Sequence, residues 1–137
     1  MIRPNAIEHH VDDFDVEVRF FREKLGWPEN IFVPGRLAAF KIGEGFSVLV
    51  LPRDPAHPPY SSLKGETIDI SVDLAELDPL YEALKAKGVA IRQPPVDQPS
   101  GIRNFYFETP GGLTIEFEAP ATETAAQLLD RVFGRGG

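Results

Sequence analysis

Val11-Asp12-Asp13-Phe14-Asp15-Val16-Glu17-Val18-Arg19-Phe20-Phe21-Arg22-Glu23-Lys24-Leu25-Gly26-Trp27 is the stretch that decides how this chain reads. Asp13 is suited to cap a helix, because its carboxylate can accept from a first-turn N–H that has no partner inside the helix. The helix then runs over about 14–25, with Val16, Phe20, Phe21 and Leu25 at near-helical spacing, and Gly26 stops it. Upstream, residues 6–11 read as a short strand ended by Asp12-Asp13. Downstream, strand-like runs at Asn30–Val33, Leu37–Ile42 and Phe46–Leu51 are parted by Pro34-Gly35 and Gly43-Glu44-Gly45, turns of the kind hairpins use. The order is βαβββ.

That order recurs. Residues 52–60 carry four prolines in nine positions, which can neither pair inside a sheet nor form a regular helix, and they read as a linker. Beyond it, Thr67–Leu74 alternates Ile68, Ile70, Val72 and Leu74 on one face with Thr67, Asp69, Ser71 and Asp73 on the other. Leu77-Asp78-Pro79 opens a second helix, with Pro79 near the first helical position, Leu80, Tyr81 and Leu84 on its apolar face, and Gly88 at its end. Strands follow at about Val89–Arg92, Ile102–Glu108 and Leu113–Glu118. A final helix over about 122–133 places Ala125, Leu128, Leu129, Val132 and Phe133 on one stripe, with Thr124 and Gln127 as a capping box.

The two copies are offset by roughly 60 residues. The expected architecture is α+β: two βαβββ modules whose curved mixed sheets wall a cleft. One domain, 1–137, would hold module one over about 4–52, the linker 52–60, module two over about 66–119 and the C-terminal helix.

Composition narrows the function. The chain has 137 residues, 42% apolar and 26% charged, ordinary for one globular core. Without cysteine there is no disulfide, thiolate metal site or cysteine nucleophile, which fits a reducing compartment, and a cytoplasmic location is expected. A net charge of −7 with scattered Lys and Arg argues against nucleic-acid binding. Met1-Ile2-Arg3-Pro4-Asn5 leads into charged sequence with no apolar signal segment, and no run approaches the roughly 18 apolar residues of a membrane span. Serine-nucleophile elbows, phosphate-binding glycine loops and dinucleotide fingerprints are also absent from the sequence.

The opening from Val11-Asp12-Asp13-Phe14 to Phe20-Phe21-Arg22-Glu23-Lys24-Leu25-Gly26-Trp27 resembles the start of a vicinal oxygen chelate module. The stretch Ser100-Gly101-Ile102-Arg103-Asn104-Phe105-Tyr106-Phe107-Glu108-Thr109-Pro110-Gly111-Gly112-Leu113-Thr114-Ile115-Glu116-Phe117 resembles its closing motif. With Asp69–Gly88 between them, the likeness to that superfamily (the glyoxalase, bleomycin-resistance and ring-cleaving dioxygenase group) covers most of residues 6–119. The resemblance implies a divalent metal held between two modules by four His or Glu side chains. It leaves open positions where a ligand's adjacent oxygens bind.

Counting from the helix ends places those four positions at Ala6, Val48 (or Val50, of the same parity), Asp69 and Glu116. Ala6 and the valine have no lone pairs to give. No metal is therefore expected. If an ion is bound, Asp69, Glu116 and His10 would hold it.

Glu116 should face the cleft, because Ile115 and Phe117 take the core side of its strand; it is either the one candidate catalytic group or a salt-bridged surface residue. Asp69 should lie beside it, and two close carboxylates repel unless a cation bridges them. Arg103 is either a fork for a ligand carboxylate or carbonyl, or the partner that neutralises Glu116 or Asp69. His10 shares parity with Ala6 and Glu8 and points to the cleft as an acid–base group, a stand-in ligand or a polar wall. His9 points the other way, with Ile7 and Val11, towards the helix. His57 and Tyr60 fall in the linker.

Two functions follow from this pattern. One is a bleomycin-resistance-like binding protein, a homodimer that sequesters a small molecule in an acidic, aromatic-lined cleft on Glu8, His10, Asp69, Arg103 and Glu116. The alternative is a divergent metal-dependent lyase, isomerase or dioxygenase of the same superfamily. A duller third is a module whose sheet face merely dimerises.

Overall fold

The computed structural model describes residues 5–53 and 67–133. The expected linker, apart from Pro52 and Arg53, lies outside those residues, as do His57 and Tyr60. The chain divides into two compact units, residues 1–66 with 108–114 and residues 67–107 with 115–137.

The first unit begins with β1 (Ala6–Val11) and α1 (Phe14–Arg19), and α1 runs on as a wider π-helical stretch, Phe20–Leu25. β2 (Glu29–Val33), β3 (Leu37–Lys41) and β4 (Ser47–Pro52) complete it. Asp13 caps α1, accepting from the Val16 N–H at 3.2 Å, and Gly26 ends the helical run in the left-handed region at φ 66°. The expected single α-helix widens where Phe21, fully buried, stacks on Phe40 at 5.2 Å and meets Trp27 edge-on at 5.3 Å. Packing of that ring outweighs regular α hydrogen bonding.

The buried face of α1 also differs from the expected stripe. Val16 is 39% exposed, while Phe14, Glu17 and Val18 are buried together with Phe21. Those positions obey helical periodicity, but one of them is a carboxylate.

β1 pairs parallel with β4, and β3 pairs antiparallel with β4 and β2, giving the order β1-β4-β3-β2. Residues paired across neighbouring strands point to the same side. Ala6, Glu8 and His10 thus share a face with Ser47, Leu49 and Leu51.

The second unit holds β5 (Thr67–Ser71), α2 (Leu74–Ala86), β6 (Val96–Asp97), most of β7 (Ile102–Glu108) and of β8 (Thr114–Pro120), and α3 (Glu123–Phe133). Its sheet order, β5-β8-β7-β6, repeats that of the first unit. Among the described residues both sheets have four strands, and with three helices the class is α+β, as expected. Phe105, Phe107, Ile115 and Phe117 build the core under Leu77, Tyr81 and Leu84 of α2, with Tyr81 edge-on to Phe105 at 5.6 Å.

Three local expectations fail here for physical reasons. α2 starts at Leu74, one turn early, with Asp73 as its N-cap, so Pro79 lies inside the helix and costs it a backbone hydrogen bond. No strand forms at 89–92. Gly88, at φ 85°, donates to the Lys85 carbonyl and Val89 to the Leu84 carbonyl, so this segment is drawn into a Schellman cap and pairing waits until Val96. α3 is capped by Thr122, whose Oγ1 accepts from the Ala125 N–H at 3.1 Å. Of its expected stripe Ala125 and Leu129 are buried, but Leu128 and Val132 are exposed. Among the described residues no helix is long and apolar enough to cross a membrane.

Candidate functional site

Alternation along β5 and β8 collects carboxylates on one side of the second sheet. Ile68 on β5 and Ile115, Phe117 and Ala119 on β8 are buried against the core. Asp69, Glu116 and Glu118 take the other parity. One oxygen from each lies within 4.8 Å of the others, with Asp69 exposed, Glu116 half-buried and Glu118 buried. Asp69 and Glu116 meet as expected, and Glu118 joins them unforeseen. The same period-two reading, carried two residues further along the strand, would have found it.

Burial first, and repulsion from Glu116 second, push the Asp69 carboxyl above its ordinary value. An acid raised in this way favours the folded state only while protonated. That contribution is complete below the ordinary carboxylate range and is lost as pH rises through the raised value. Asp69→Asn should therefore leave the melting temperature unchanged near pH 3 and raise it at pH 7 by about 1–2 °C, a small gain because the group is mostly exposed. Calorimetry at both pH values is the check; a lowered melting temperature at pH 7 would contradict the crowding.

Neutral donors approach the cluster from β7. Asn104 Nδ2 donates to Glu116 Oε2 at 3.3 Å, and Gln98 Nε2 donates to Asn104 Oδ1 at 3.0 Å. Tyr106, 53% exposed, shares the Asn104 face of that strand, since Phe105 and Phe107 alternate with it into the core.

Arg103, expected beside the carboxylates, turns away from them. Arg103 neutralises neither Asp69 nor Glu116. Its parity turns it towards α2, where it forms a two-pronged pair with Asp78, both bonds 2.9 Å, and meets Asp97 at 3.3 Å. Those hydrogen bonds hold Asp78 below its ordinary value. Glu8, exposed, and His10, half-buried, belong to β1 of the first unit and are not part of the carboxylate group. Val48 and Val50 are fully buried, so the residue of β4 that shares Ala6's face is Leu49; the parallel register moves the count by one. Leu49, like valine, has no donor to give.

One constellation was not foreseen. Glu17, fully buried in the first unit, accepts from Thr109 Oγ1 at 2.6 Å on Oε2 and from the Gly111 N–H at 2.6 Å on Oε1, and pairs with His9 Nε2. Thr109 Oγ1 in turn accepts from the Leu113 N–H at 3.1 Å. His9 and Glu17 have no solvent access, so this network is structural.

Residues 3–117 match the family model of the "Glyoxalase/Bleomycin resistance protein/Dioxygenase superfamily". The chain belongs to that superfamily. No curated protein matches the sequence. Among solved structures, a glyoxalase/bleomycin resistance protein/dioxygenase from Nocardioides is 26% identical, with a TM-score of 0.71 over 90% of this chain and 87% of that one. A lactoylglutathione lyase from Agrobacterium tumefaciens, 22% identical, superposes with a TM-score of 0.66 over 88% of this chain and 94% of its own. A glyoxalase/dioxygenase from Nostoc punctiforme, 21% identical, gives 0.67 over 86% and 90%. At those last two identities the likeness is one of fold.

Metals are common in this superfamily, and the donor chemistry of the cluster tests the fit. Three carboxylates make a hard, all-oxygen set without imidazole. Such a set suits magnesium, calcium or manganese better than zinc or copper.

Proposed function

We propose that this superfamily member binds a small cationic molecule on Asp69, Glu116 and Glu118 without completing a family-type metal centre. The single observation that carries the reading is the approach of three carboxylate oxygens to within 4.8 Å. Like charges so placed stand at a cost that a bound cation removes. Arg103, the basic residue of β7, is committed to Asp78 and Asp97 on the other face of its strand. Tyr106 adds an exposed aromatic surface on the same face, and an ammonium group over such a ring gains about 0.5–2 kcal/mol. A net charge of −7 draws cations towards the protein. Within the first module, the positions expected for the superfamily's metal ligands fall on Ala6 and Leu49, neither of which can bind an ion.

Titration calorimetry with a linear diamine, a quaternary ammonium compound and cationic antibiotics is the test. Binding should weaken with salt and fall at least tenfold in Glu116→Gln, the loss expected when a charged partner of a desolvated cation goes. Silence across the whole panel would sink the reading.

The carboxylate set also supports a second reading, a metal-dependent lyase, isomerase or dioxygenase. Asp69, Glu116 and Glu118 would hold a hard divalent ion, which supplies Lewis-acid polarisation of ligand oxygens when bound. Stoichiometric metal in protein purified without chelator, lost in Glu116→Ala, would decide for it. A cytoplasmic homodimer completes the proposal, and light scattering during gel filtration measures the assembly.

A further inference from the structure

We infer that Asn104, itself oriented by Gln98, is a positioning residue that fixes which oxygen of Glu116 is offered to a cation; this rests on the reading that Glu116 belongs to a cation site. An ionised carboxylate only accepts hydrogen bonds, so Glu116 dictates the polarity of the whole chain of contacts. It turns the Asn104 amide nitrogen towards itself, at 3.3 Å from Oε2. The Asn104 carbonyl then faces away and takes the Gln98 amide at 3.0 Å. With Oε2 engaged, Oε1 remains for a ligand. Because both donors are uncharged, they hold the carboxylate without cancelling the charge a cation requires. The neighbouring cation on the strand cannot take that role, since Arg103 points to the opposite face and is held by Asp78 and Asp97.

Gln98 is placed by backbone, not by chance contact. Its N–H donates to the Ile102 carbonyl at 2.7 Å, and its carbonyl accepts from the Gly101 N–H at 2.9 Å, closing a tight turn. Gly101 takes φ 88°, and a Cβ there would fall 2.4 Å from Thr122 Oγ1, so the turn sits hard against the capped start of α3. The Ala121 N–H donates to the Gly101 carbonyl at 2.8 Å and fastens it further. An anchored turn thus holds Gln98, Gln98 orients Asn104, and Asn104 orients Glu116.

The experiment has two arms on the full chain. In the first, affinity for 1,4-diaminobutane is measured by calorimetry for wild type, Asn104→Leu, Gln98→Leu, the double variant and Glu116→Gln. Asn104→Leu should weaken binding about tenfold, the loss typical of one hydrogen bond to a charged group, and Gln98→Leu less. The double variant should be no worse than Asn104→Leu, because Gln98 acts only through Asn104. Wild-type affinity in Asn104→Leu, or losses that simply add, would overturn the relay. Unchanged affinity in Glu116→Gln would instead overturn the site reading itself.

The second arm needs no ligand. In nitrogen-resolved NMR spectra, Glu116→Ala should move the side-chain amide signals of both Asn104 and Gln98. Gln98 signals that stay in place would show that the relay does not exist, whether or not any cation binds.

Discussion

Glu17→Ala should destabilise the protein by about 3–5 kcal/mol, the scale expected when several buried hydrogen-bonding groups lose one shared partner. The loss does not come from the carboxylate's own burial, which is costly. It comes from what is left behind: His9 Nε2, Thr109 Oγ1 and the Gly111 N–H all lose the acceptor they share, in a region closed to water. Urea denaturation should show the midpoint falling with little change in slope. Glu17→Gln, which keeps one acceptor oxygen, should lose less, and His9→Leu combined with Glu17→Leu should recover part of the deficit of Glu17→Leu alone. A loss below about 1 kcal/mol for Glu17→Ala would mean that the network is not a stabilising unit.

Gly111→Ala is expected to have the next largest effect, about 3 kcal/mol of lost stability, at the upper end for overpacking a closed site. A methyl group there would fall 2.5 Å from Val11 Cγ1 and 2.6 Å from Glu17 Oε2. Both neighbours are fully buried. Backbone conformation is not the cause, since Gly111 is not among the positive-φ glycines. The requirement is close approach: the Gly111 N–H must come within 2.6 Å of Glu17 Oε1. The cost should therefore shrink when Glu17 is already alanine, and a double-mutant cycle measures that coupling. Strict additivity would locate the clash at Val11 alone.

Neither Glu17 nor its contact with Gly111 is announced by any local pattern. Glu17 fell on the correct helical face with Phe14, Val18 and Phe21, but its charge masked it as a core residue. Its partner Thr109 lies 92 residues away, and no local pattern announces that contact. Arg103 was recognised but matched to the wrong carboxylates, because its true partner Asp78 comes from α2, 25 residues back. On β4 the alternation was legible but its phase was not, since a one-residue slip exchanges Val48 for Leu49 and only the pairing with β1 fixes it.

The sequence by itself determined the twice-told βαβββ order, the cap at Asp13, the stops at Gly26 and Gly88, and the common facing of Asp69 and Glu116. All of these are set by φ/ψ preferences and by periods of two or 3.6 residues, which act over a few neighbours. Tertiary structure alone decided that Arg103 pairs with Asp78, that Asn104 holds Glu116, and that a buried glutamate ties α1 to the turn at 109–111. Those choices belong to side chains brought together from distant parts of the chain. Their energies arise only once packing has excluded water and left each polar atom to find a partner or go without.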